Sequence, residues 1–293
     1  MKKMVFLIFI LVSLVACEKN INFDLKNATD VLVVDGNIEN GRAPEIMLTQ
    51  SLDFFNTLSA DQLANSFVHN AFVTISNGVT THQLKEYSIL LPNGYKAYRY
   101  SIDSSNLSTA FLGQINTQYT LYIKSEGKEY RASTLIPPLA KKLDSLWWMP
   151  TPFPKEVDDV TVMVQVTDPP GLGNYIRYFT KINNEPFLPG RNSVADDQVI
   201  NDVTYRIELE PGLDRNLTKP KENPSFKKGD VVTLKVCNID RDAYNFFSTW
   251  EFAFQSIGNP FSQPNKVMGN ISNGALGAFY GYGAVYKTLV IPK

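Results

Sequence analysis

Short apolar runs recur along the chain, several of them alternate with polar residues, and turn-forming residues separate them. The clearest alternation with a period of two lies between Val160 and Val166, while Asn77-Gly78 marks a tight hairpin turn because both residues tolerate positive φ. A period of two with frequent turns predicts a mostly β protein. The predicted strands are residues 31–34, 46–48, 71–75, 95–102, 119–125, 130–136, 160–166, 175–182, 205–209, 230–236 and 284–291.

One segment near the end of the chain has a helical period instead. Tyr244, Phe247 and Phe254 recur at helical spacing, with Trp250 or Glu251 between them, and predict a helix with one apolar face. Asp240 is a favourable N-cap before this stripe. We therefore predict one long amphipathic helix over about residues 240–256, packed against a sheet. A capping-box spacing at residues 59–62 predicts a second, short helix.

Pro137-Pro138 interrupts the series of strands, because neither nitrogen can donate a hydrogen bond to a sheet. We place a domain boundary there. About seven short strands with regular turns before this point predict an immunoglobulin-like β-sandwich over residues 28–138. Residues 139–293 are predicted to form a second β-rich domain that carries the helix.

The N-terminal residues carry an export signal that ends at a cysteine. Lys2 and Lys3 precede an apolar run that closes with Ala16-Cys17, the layout of a lipoprotein signal peptide. The run is shorter than the roughly 18 residues expected of a membrane span. We predict that residues 1–16 are removed, that Cys17 carries acyl chains, and that residues 17–27 form a tether.

Composition excludes some classes of function. Lysine and arginine number 28 against 29 acidic residues, so the net charge of −1 offers no general attraction for nucleic acid. Acylation of Cys17 leaves Cys237 as the remaining thiol, which excludes an intramolecular disulfide. Aromatic residues make up 12% of the chain and favour strands with aromatic cores.

Catalytic and metal-binding patterns are weak. The chain has two histidines, His69 and His82, and no Gly-x-Ser-x-Gly turn that would present a nucleophile to either. Cys237 lies in a predicted strand without a partner at zinc-binding spacing, so we expect a small core residue. The sequence therefore predicts a protein that is not an enzyme and has no catalytic residue, metal or cofactor.

Paired carboxylates leave a hydrolase as the least favoured alternative. Asp158-Asp159 and Asp196-Asp197 fall in predicted loops, where charge is ordinarily solvated. Asp240 and Asp242 are explained by helix capping and by the favourable placement of acidic residues in a first helical turn.

Two aromatic sets are candidate ligand platforms. Trp147 and Trp148 are adjacent, while Tyr280, Tyr282 and Tyr286 lie in and after a glycine-rich segment. Aromatic faces stack on apolar faces of ligands while their polar tips stay hydrated. Burial in the sandwich is the simpler explanation, so both interpretations stay open here.

Five fragments occur in order along the chain: Val34-Asp35-Gly36, Asp144-Ser145-Leu146, Lys228-Gly229-Asp230-Val231-Val232, Asn238-Ile239-Asp240 and Asn270-Ile271-Ser272-Asn273-Gly274-Ala275-Leu276-Gly277. Together they resemble the DUF4249 lipoproteins of Bacteroidetes. The resemblance implies a cell-envelope lipoprotein with an N-terminal immunoglobulin-like or carboxypeptidase-regulatory-like sandwich. It also implies a gene neighbourhood with TonB-dependent outer-membrane receptors, and it brings no catalytic residues. Within the second fragment, Ser145 also resembles an O-glycosylation site of that phylum.

We therefore expect a non-enzymatic outer-membrane lipoprotein, anchored by its acyl chains on the periplasmic or the cell-surface face. Its expected role is accessory to a TonB-dependent receptor or the capture of a nutrient or glycan, with residues 183–200 and 259–283 as exposed contact loops. The alternative is a structural envelope module that binds another protein. Such a module predicts flat surfaces, whereas ligand capture predicts a concave pocket lined by the tyrosines.

Overall fold

A computed structural model describes residues 31–52, 60–91, 94–215, 224–257, 259, 262 and 265–293. The predicted signal peptide, Cys17 and the tether lie outside the described residues. The strands are β1 Leu32–Glu39, β2 Glu45–Gln50, β3 Phe72–Ser76, β4 Thr81–Leu90, β5 Lys96–Ile102, β6 Thr117–Ser125, β7 Lys128–Ile136, β8 Lys142–Pro150, β9 Asp159–Thr167, β10 Tyr175–Ile182, β11 Leu188–Ala195, β12 Thr204–Leu209, β13 Phe226–Lys227, β14 Val231–Ile239 and β15 Leu276–Val290. The helices are α1 Ala60–Asn65 and α2 Arg241–Gln255.

Two β-sheets account for the architecture. The larger has eleven strands in the order β11-β10-β14-β15-β1-β2-β5-β4-β3-β6-β7. In the smaller sheet β9 pairs with β8, β12 and β13. The prediction of a mostly β protein with one long packed helix is confirmed. No helix among the residues described here is long and apolar enough to span a membrane.

The seven strands of the N-terminal segment curl around a single apolar core. At the far edge β7 returns to β15, where the Gly281 amide donates to Thr134 Oγ1 at 2.8 Å. A Cβ atom at Gly281 would lie 2.5 Å from the Leu135 carbonyl oxygen, so this closure requires glycine. The core contains Leu32, Val34, Ile38, Ile46, Leu48, Val73, Ile75, Leu84, Tyr100, Tyr119, Leu121, Ile123, Tyr130, Ile136 and Phe279.

The C-terminal part of the large sheet is covered on both faces. The smaller sheet packs on one face, and its Val162 and Val164 share a core with Leu234. Helix α2 packs on the other face, where Phe247 shares a second core with Cys237. We call these the sheet-side face and the helix-side face. Because successive residues of a strand point to opposite faces, β14 contributes to both cores.

Asp240 connects the helix to the N-terminal segment. One oxygen caps α2 by accepting from the Ala243 amide at 2.8 Å, as predicted. The other accepts from Thr134 Oγ1 at 2.7 Å and from the Leu135 amide at 3.0 Å on β7. The first and last strands also pair, with β1 parallel to β15. The domain boundary at residue 138 stays a prediction, although the large sheet is continuous across it.

Two predicted loops are wrong in part. Within residues 183–200 the chain forms strand β11, which pairs with β10 across an irregular register between Arg177 and Phe179. Within residues 259–283 the last eight residues belong to β15. Both segments contain glycines and lack clean alternation, so the pairing partner decides their conformation. Gly277 on β15 is an example. Its φ is 87° and a Cβ atom there would lie 1.9 Å from the Val34 carbonyl oxygen, so the close approach to β1 requires glycine.

Candidate ligand-binding site

A cleft of about 600 Å³ opens where the N-terminal strands meet the helix-side face. Its volume falls within the range of roughly 300–1,000 Å³ that is typical of small-molecule sites. We call it the junction cleft. Its lining combines aromatic and charged side chains: Asn37, Glu39, Arg42, Ala43, Glu45, Arg177, Phe179, Phe187, Pro189, Lys235, Tyr280 and Tyr282.

Four adjacent strands position the floor of the junction cleft. Phe179 on β10 is paired with Lys235 on β14, which is paired with Tyr286 on β15. On the other side of β15, Tyr282 is paired with Glu39 on β1. Paired residues on neighbouring strands point to the same face of a sheet. The sheet therefore brings these five side chains together although they are far apart in sequence.

Glu39 is the charged centre of the floor. Its side chain is 6% exposed and accepts hydrogen bonds from Lys235 Nζ and from the Tyr286 hydroxyl. Arg42 Nε lies 3.0 Å from the same carboxylate. Three donors, two of them charged, satisfy a carboxylate that would be costly to bury alone. The Lys235 ammonium also lies between 5.2 and 5.7 Å from the ring centroids of Phe179, Tyr282 and Tyr286.

Arg177 forms the inner wall. Its Nη1 donates to the Tyr282 hydroxyl at 2.7 Å. Its guanidinium carbon lies 3.4 Å from the ring centroid of Phe247 on α2 and 4.7 Å from that of Phe179. Stacking on two rings and a directed hydrogen bond fix the planar group in one orientation.

A buried polar relay behind Arg177 holds it in place. Arg177 Nε donates to Ser193 Oγ at 3.2 Å, and Ser193 Oγ donates to Glu251 at 2.5 Å. Arg215 Nη2 donates to the same Glu251 carboxylate at 3.1 Å. Glu251 is 3% exposed on the apolar stripe of α2. The stripe pattern contained Glu251, but sequence reasoning missed the roles of Arg177, Glu39 and Lys235, because no local motif joins β1, β10 and β14.

Of the three predicted tyrosines, Tyr280 and Tyr282 line the junction cleft, and Tyr286 lies beside it, where its hydroxyl donates to Glu39. Tyr280 and Tyr282 are 7% and 5% exposed, whereas Tyr286 is 40% exposed. Burial is the largest cause that raises the pKa of Tyr280 and of Tyr286, and neighbouring carboxylates raise both values further. Burial likewise raises the pKa of Tyr282. At neutral pH these hydroxyls therefore stay protonated; Tyr280 donates to Asp35 and Tyr286 to Glu39, while the Tyr282 hydroxyl accepts from Arg177.

The predicted tryptophans and Ser145 lie elsewhere, on β8. Trp148 packs against the core of the sheet-side face, and Trp147 lies 5.8 Å from the Arg206 guanidinium. Ser145 is half-buried and lies at the end of a register irregularity that begins at Leu143. These three side chains are not among those that line the junction cleft.

The two histidines have structural partners outside the junction cleft. His82 is 1% exposed, its Nδ1 lies 2.9 Å from Thr109 Oγ1, and its Nε2 accepts from the Asp103 amide at 3.1 Å. Burial lowers the pKa of His82, so the ring is neutral and its proton sits on Nδ1. His69 Nδ1 lies 2.5 Å from Glu86.

Two of the paired carboxylates differ from expectation. The prediction that they are solvated loop charges is wrong for Asp159 and Asp197, which are 8% and 1% exposed. Both organise turns: Asp159 accepts from the Lys155 and Glu156 amides, and Asp197 accepts from the amides of residues 173 and 174. Within the described part of the chain, no three His, Cys, Asp or Glu residues are grouped to hold a metal ion.

Cys237 is fully buried beside the junction cleft. Its exposure is 0%, it belongs to the core under α2, and burial raises the pKa of its thiol to about 12. A thiol of this kind is inert at neutral pH, because the thiolate is the reactive species.

Comparison with known families identifies the chain. The profile of a family described as a domain of unknown function (DUF4249) matches residues 18–288. The chain belongs to the DUF4249 family. This confirms the resemblance inferred from the sequence fragments, and the DUF4249 match contains every residue of the junction cleft. No curated protein matches the chain.

Proposed function

We propose that this DUF4249 protein is a non-enzymatic, lipid-anchored outer-membrane protein that captures a nutrient or glycan in the junction cleft. The observation that carries the proposal is the cleft itself: a concave site with aromatic walls and charged groups already fixed by buried partners. Preorganised polar groups in a cleft that also presents aromatic rings orient a ligand without the entropic cost of ordering the site.

The chemistry of the lining supports binding rather than covalent reaction. Tyr280, Tyr282 and Tyr286 keep their protons, and the Cys237 thiol stays neutral because it is buried. The Tyr280 and Tyr286 hydroxyls donate to Asp35 and Glu39, whereas the Tyr282 hydroxyl accepts from Arg177 and keeps a proton to donate. A donor beside an aromatic ring face suits a sugar ring. Lys235 and Arg177 are engaged by Glu39 and by the relay through Ser193, so they serve as fixed donors.

The concave shape favours ligand capture over the structural-module alternative. A structural module predicts flat surfaces, whereas two of the predicted tyrosines, Tyr280 and Tyr282, line a cleft of about 600 Å³. In this proposal, Cys17 acylation holds the protein beside a TonB-dependent receptor and raises the effective concentration of captured ligand there.

Calorimetric titration of the purified protein with a panel of oligosaccharides tests capture. Phe187→Ala removes an aromatic face that lines the cleft, and Tyr286→Ala removes the ring that packs against Phe187. Each is expected to weaken binding about tenfold, the equivalent of one lost aromatic contact. Trp147→Ala on β8 is the matched control and should retain the wild-type affinity. Absence of binding across the panel, or loss through Trp147→Ala alone, contradicts the site.

A separate experiment tests anchoring and partnership. Cross-linking in native membranes followed by affinity capture should recover a TonB-dependent receptor with the wild-type chain. Cys17→Ser should remain unacylated and lose that recovery, because the tethered effective concentration is gone. Repeated capture without a receptor would contradict the partnership while leaving the titration result intact.

A further inference from the structure

A buried lysine and a buried aspartate face each other at the start of the β8–β9 pair. Lys142 is paired with Thr167, so Lys141 and Asp168 occupy the next positions across the two strands. Their side chains are 1% and 0% exposed. The Lys141 Nζ lies 3.0 Å from Asp168 Oδ1. The two groups are thus in contact and shielded from solvent.

The pair is poorly satisfied as an ion pair. Neither Asp168 carboxylate oxygen has a hydrogen-bond partner among the described residues, and the approach of Nζ lacks hydrogen-bond geometry. A buried ion pair offsets its desolvation only when further hydrogen bonds occupy the remaining lone pairs. Lys141 Nζ has one more polar neighbour, the Asp196 carbonyl oxygen at 3.5 Å.

The side-chain amide of a neighbouring residue also lacks a hydrogen-bond partner. Asn238 on β14 is 2% exposed, and its Oδ1 accepts from the Lys141 backbone amide at 3.1 Å. Its Nδ2 is buried, again with no hydrogen-bond partner in the described part of the chain. Unsatisfied buried polar atoms of this kind call for a physical explanation, such as a bond or a group not yet assigned.

We propose that Lys141 and Asp168 become joined by an intramolecular isopeptide bond. A proton passes from the ammonium to the carboxylate, which gives a neutral amine beside a neutral acid. The Nζ lone pair then attacks Cγ, the new C–N bond forms, the C–O bond breaks, and the hydroxyl leaves with a proton as water. The step needs no oxidant or other reactant.

Burial and proximity both favour this condensation. The amide product carries no charge, so the reaction removes two ions from an environment where charge is costly. Fixed contact between amine and carboxyl group replaces a bimolecular encounter and supplies a large effective concentration. The bond would lock β8 to β9 and anchor the segment that follows Pro137-Pro138.

Peptide mapping of the full chain, extracted from native membranes and denatured before trypsin digestion, tests the bond. Trypsin cannot cut after an acylated lysine, so the linked protein yields residues 132–142 joined to residues 156–177. The expected mass is the sum of the two peptides less one water. Separate peptides 132–141 and 156–177, with no linked species, would overturn the proposal and leave an ordinary ion pair.

Three variants complete the test. Lys141→Arg keeps the positive charge but lacks the amine, so the linked species should disappear even if the fold survives. Asp168→Ala should also abolish it. Lys142→Arg, at the exposed neighbouring position, is the matched control and should retain it. A linked species that persists in Lys141→Arg would also contradict the assignment. If the first two variants fail to fold, mapping of the wild-type chain still decides.

Discussion

The two faces of β10, β14 and β15 differ in character although the same strands build both. Leu234 and Lys235 are neighbours on β14, yet Leu234 is 1% exposed in an apolar core and Lys235 binds Glu39 in the junction cleft. The sheet-side face is closed by valines and leucines. The helix-side face places Arg177 and Glu251 among aromatic rings. Under the proposed function, stability and ligand recognition are therefore assigned to opposite faces of one sheet.

Apolar and charged groups contribute differently to the stability of the two faces. Apolar burial stabilises a fold by about 25 cal/mol per Å². A buried ion network contributes little net stability, because desolvation offsets its Coulombic attraction. The network around Arg177 and Glu39 is therefore better explained by positioning than by stability. The sheet-side face supplies the stability that allows the other face to keep charged groups in place.

The largest effect is expected on the sheet-side face. Leu234→Ala leaves a cavity in a well-packed core and should lower the free energy of unfolding by about 3 kcal/mol. Urea denaturation measures the loss, and Val290→Ala, at a position 66% exposed, is the control that should change it by less than about 0.5 kcal/mol. Ligand affinity should be unchanged in both. Weaker binding in Leu234→Ala would show that the two faces are coupled.

Glu251→Gln tests the relay on the helix-side face. The change removes the charge that Arg215 and Ser193 bind, so the free energy of unfolding should fall by about 2 kcal/mol. Affinity should fall as well, because Arg177 loses the support of Ser193. Urea denaturation and calorimetric titration measure the two effects. A loss of stability with full affinity would mean that the relay does not position Arg177.

Asp197→Asn tests whether the stability that a buried carboxylate contributes depends on pH, whereas that of the apolar core does not. Burial would raise the pKa of Asp197, but hydrogen bonds from the backbone amides of residues 173 and 174 outweigh it and hold the pKa below its ordinary value. A carboxylate whose pKa is lower in the folded state than in the unfolded state stabilises the fold at pH values above the unfolded pKa of about 3.9. This stabilisation is lost as the pH falls through the folded pKa. The variant should therefore be less stable by about 1 kcal/mol at neutral pH, and this deficit should shrink as the pH falls below the unfolded pKa.

The contrast with Leu234→Ala is the control for that pH dependence. An apolar cavity involves no titrating group, so its cost should be the same at both pH values. Urea denaturation of both variants at neutral pH and near pH 3 provides the comparison. An Asp197→Asn deficit that persists unchanged in acid would show that the carboxylate charge contributes nothing.

Local patterns in the sequence predicted the parts of the fold that local physics determines. The alternation at residues 160–166 became β9, and the N-cap Asp240 with its aromatic stripe became α2. Strand β11 and the first half of β15 could not be predicted, because glycine and proline weaken the period there. The extended conformation of β11 depends on pairing with its neighbour β10, and that of β15 depends on β14 and β1, which are distant in sequence.

The candidate site was predictable only through its aromatic residues. Tyr280, Tyr282 and Tyr286 were candidates because they are aromatic; their common face follows from β15, whose first half was not predicted. Glu39 and Arg177 gave no signal, since an isolated charge in a strand is ordinarily exposed. Their roles follow from the parallel pairing of β1 with β15 and from the relay through Glu251, which no short-range pattern encodes.

Tyr286→Phe is expected to have the smallest effect on stability. It separates the contribution of the Tyr286 hydroxyl from that of its aromatic ring. The change removes one hydrogen bond to Glu39, which keeps Lys235 and Arg42 as partners, so stability should fall by about 0.5 kcal/mol. The ring contact with Phe187, whose centroid lies 5.7 Å away, is retained. Comparison with Tyr286→Ala in the same titrations separates the hydroxyl from the ring. Equal affinity losses in the two variants would assign recognition to the hydroxyl and contradict an aromatic platform.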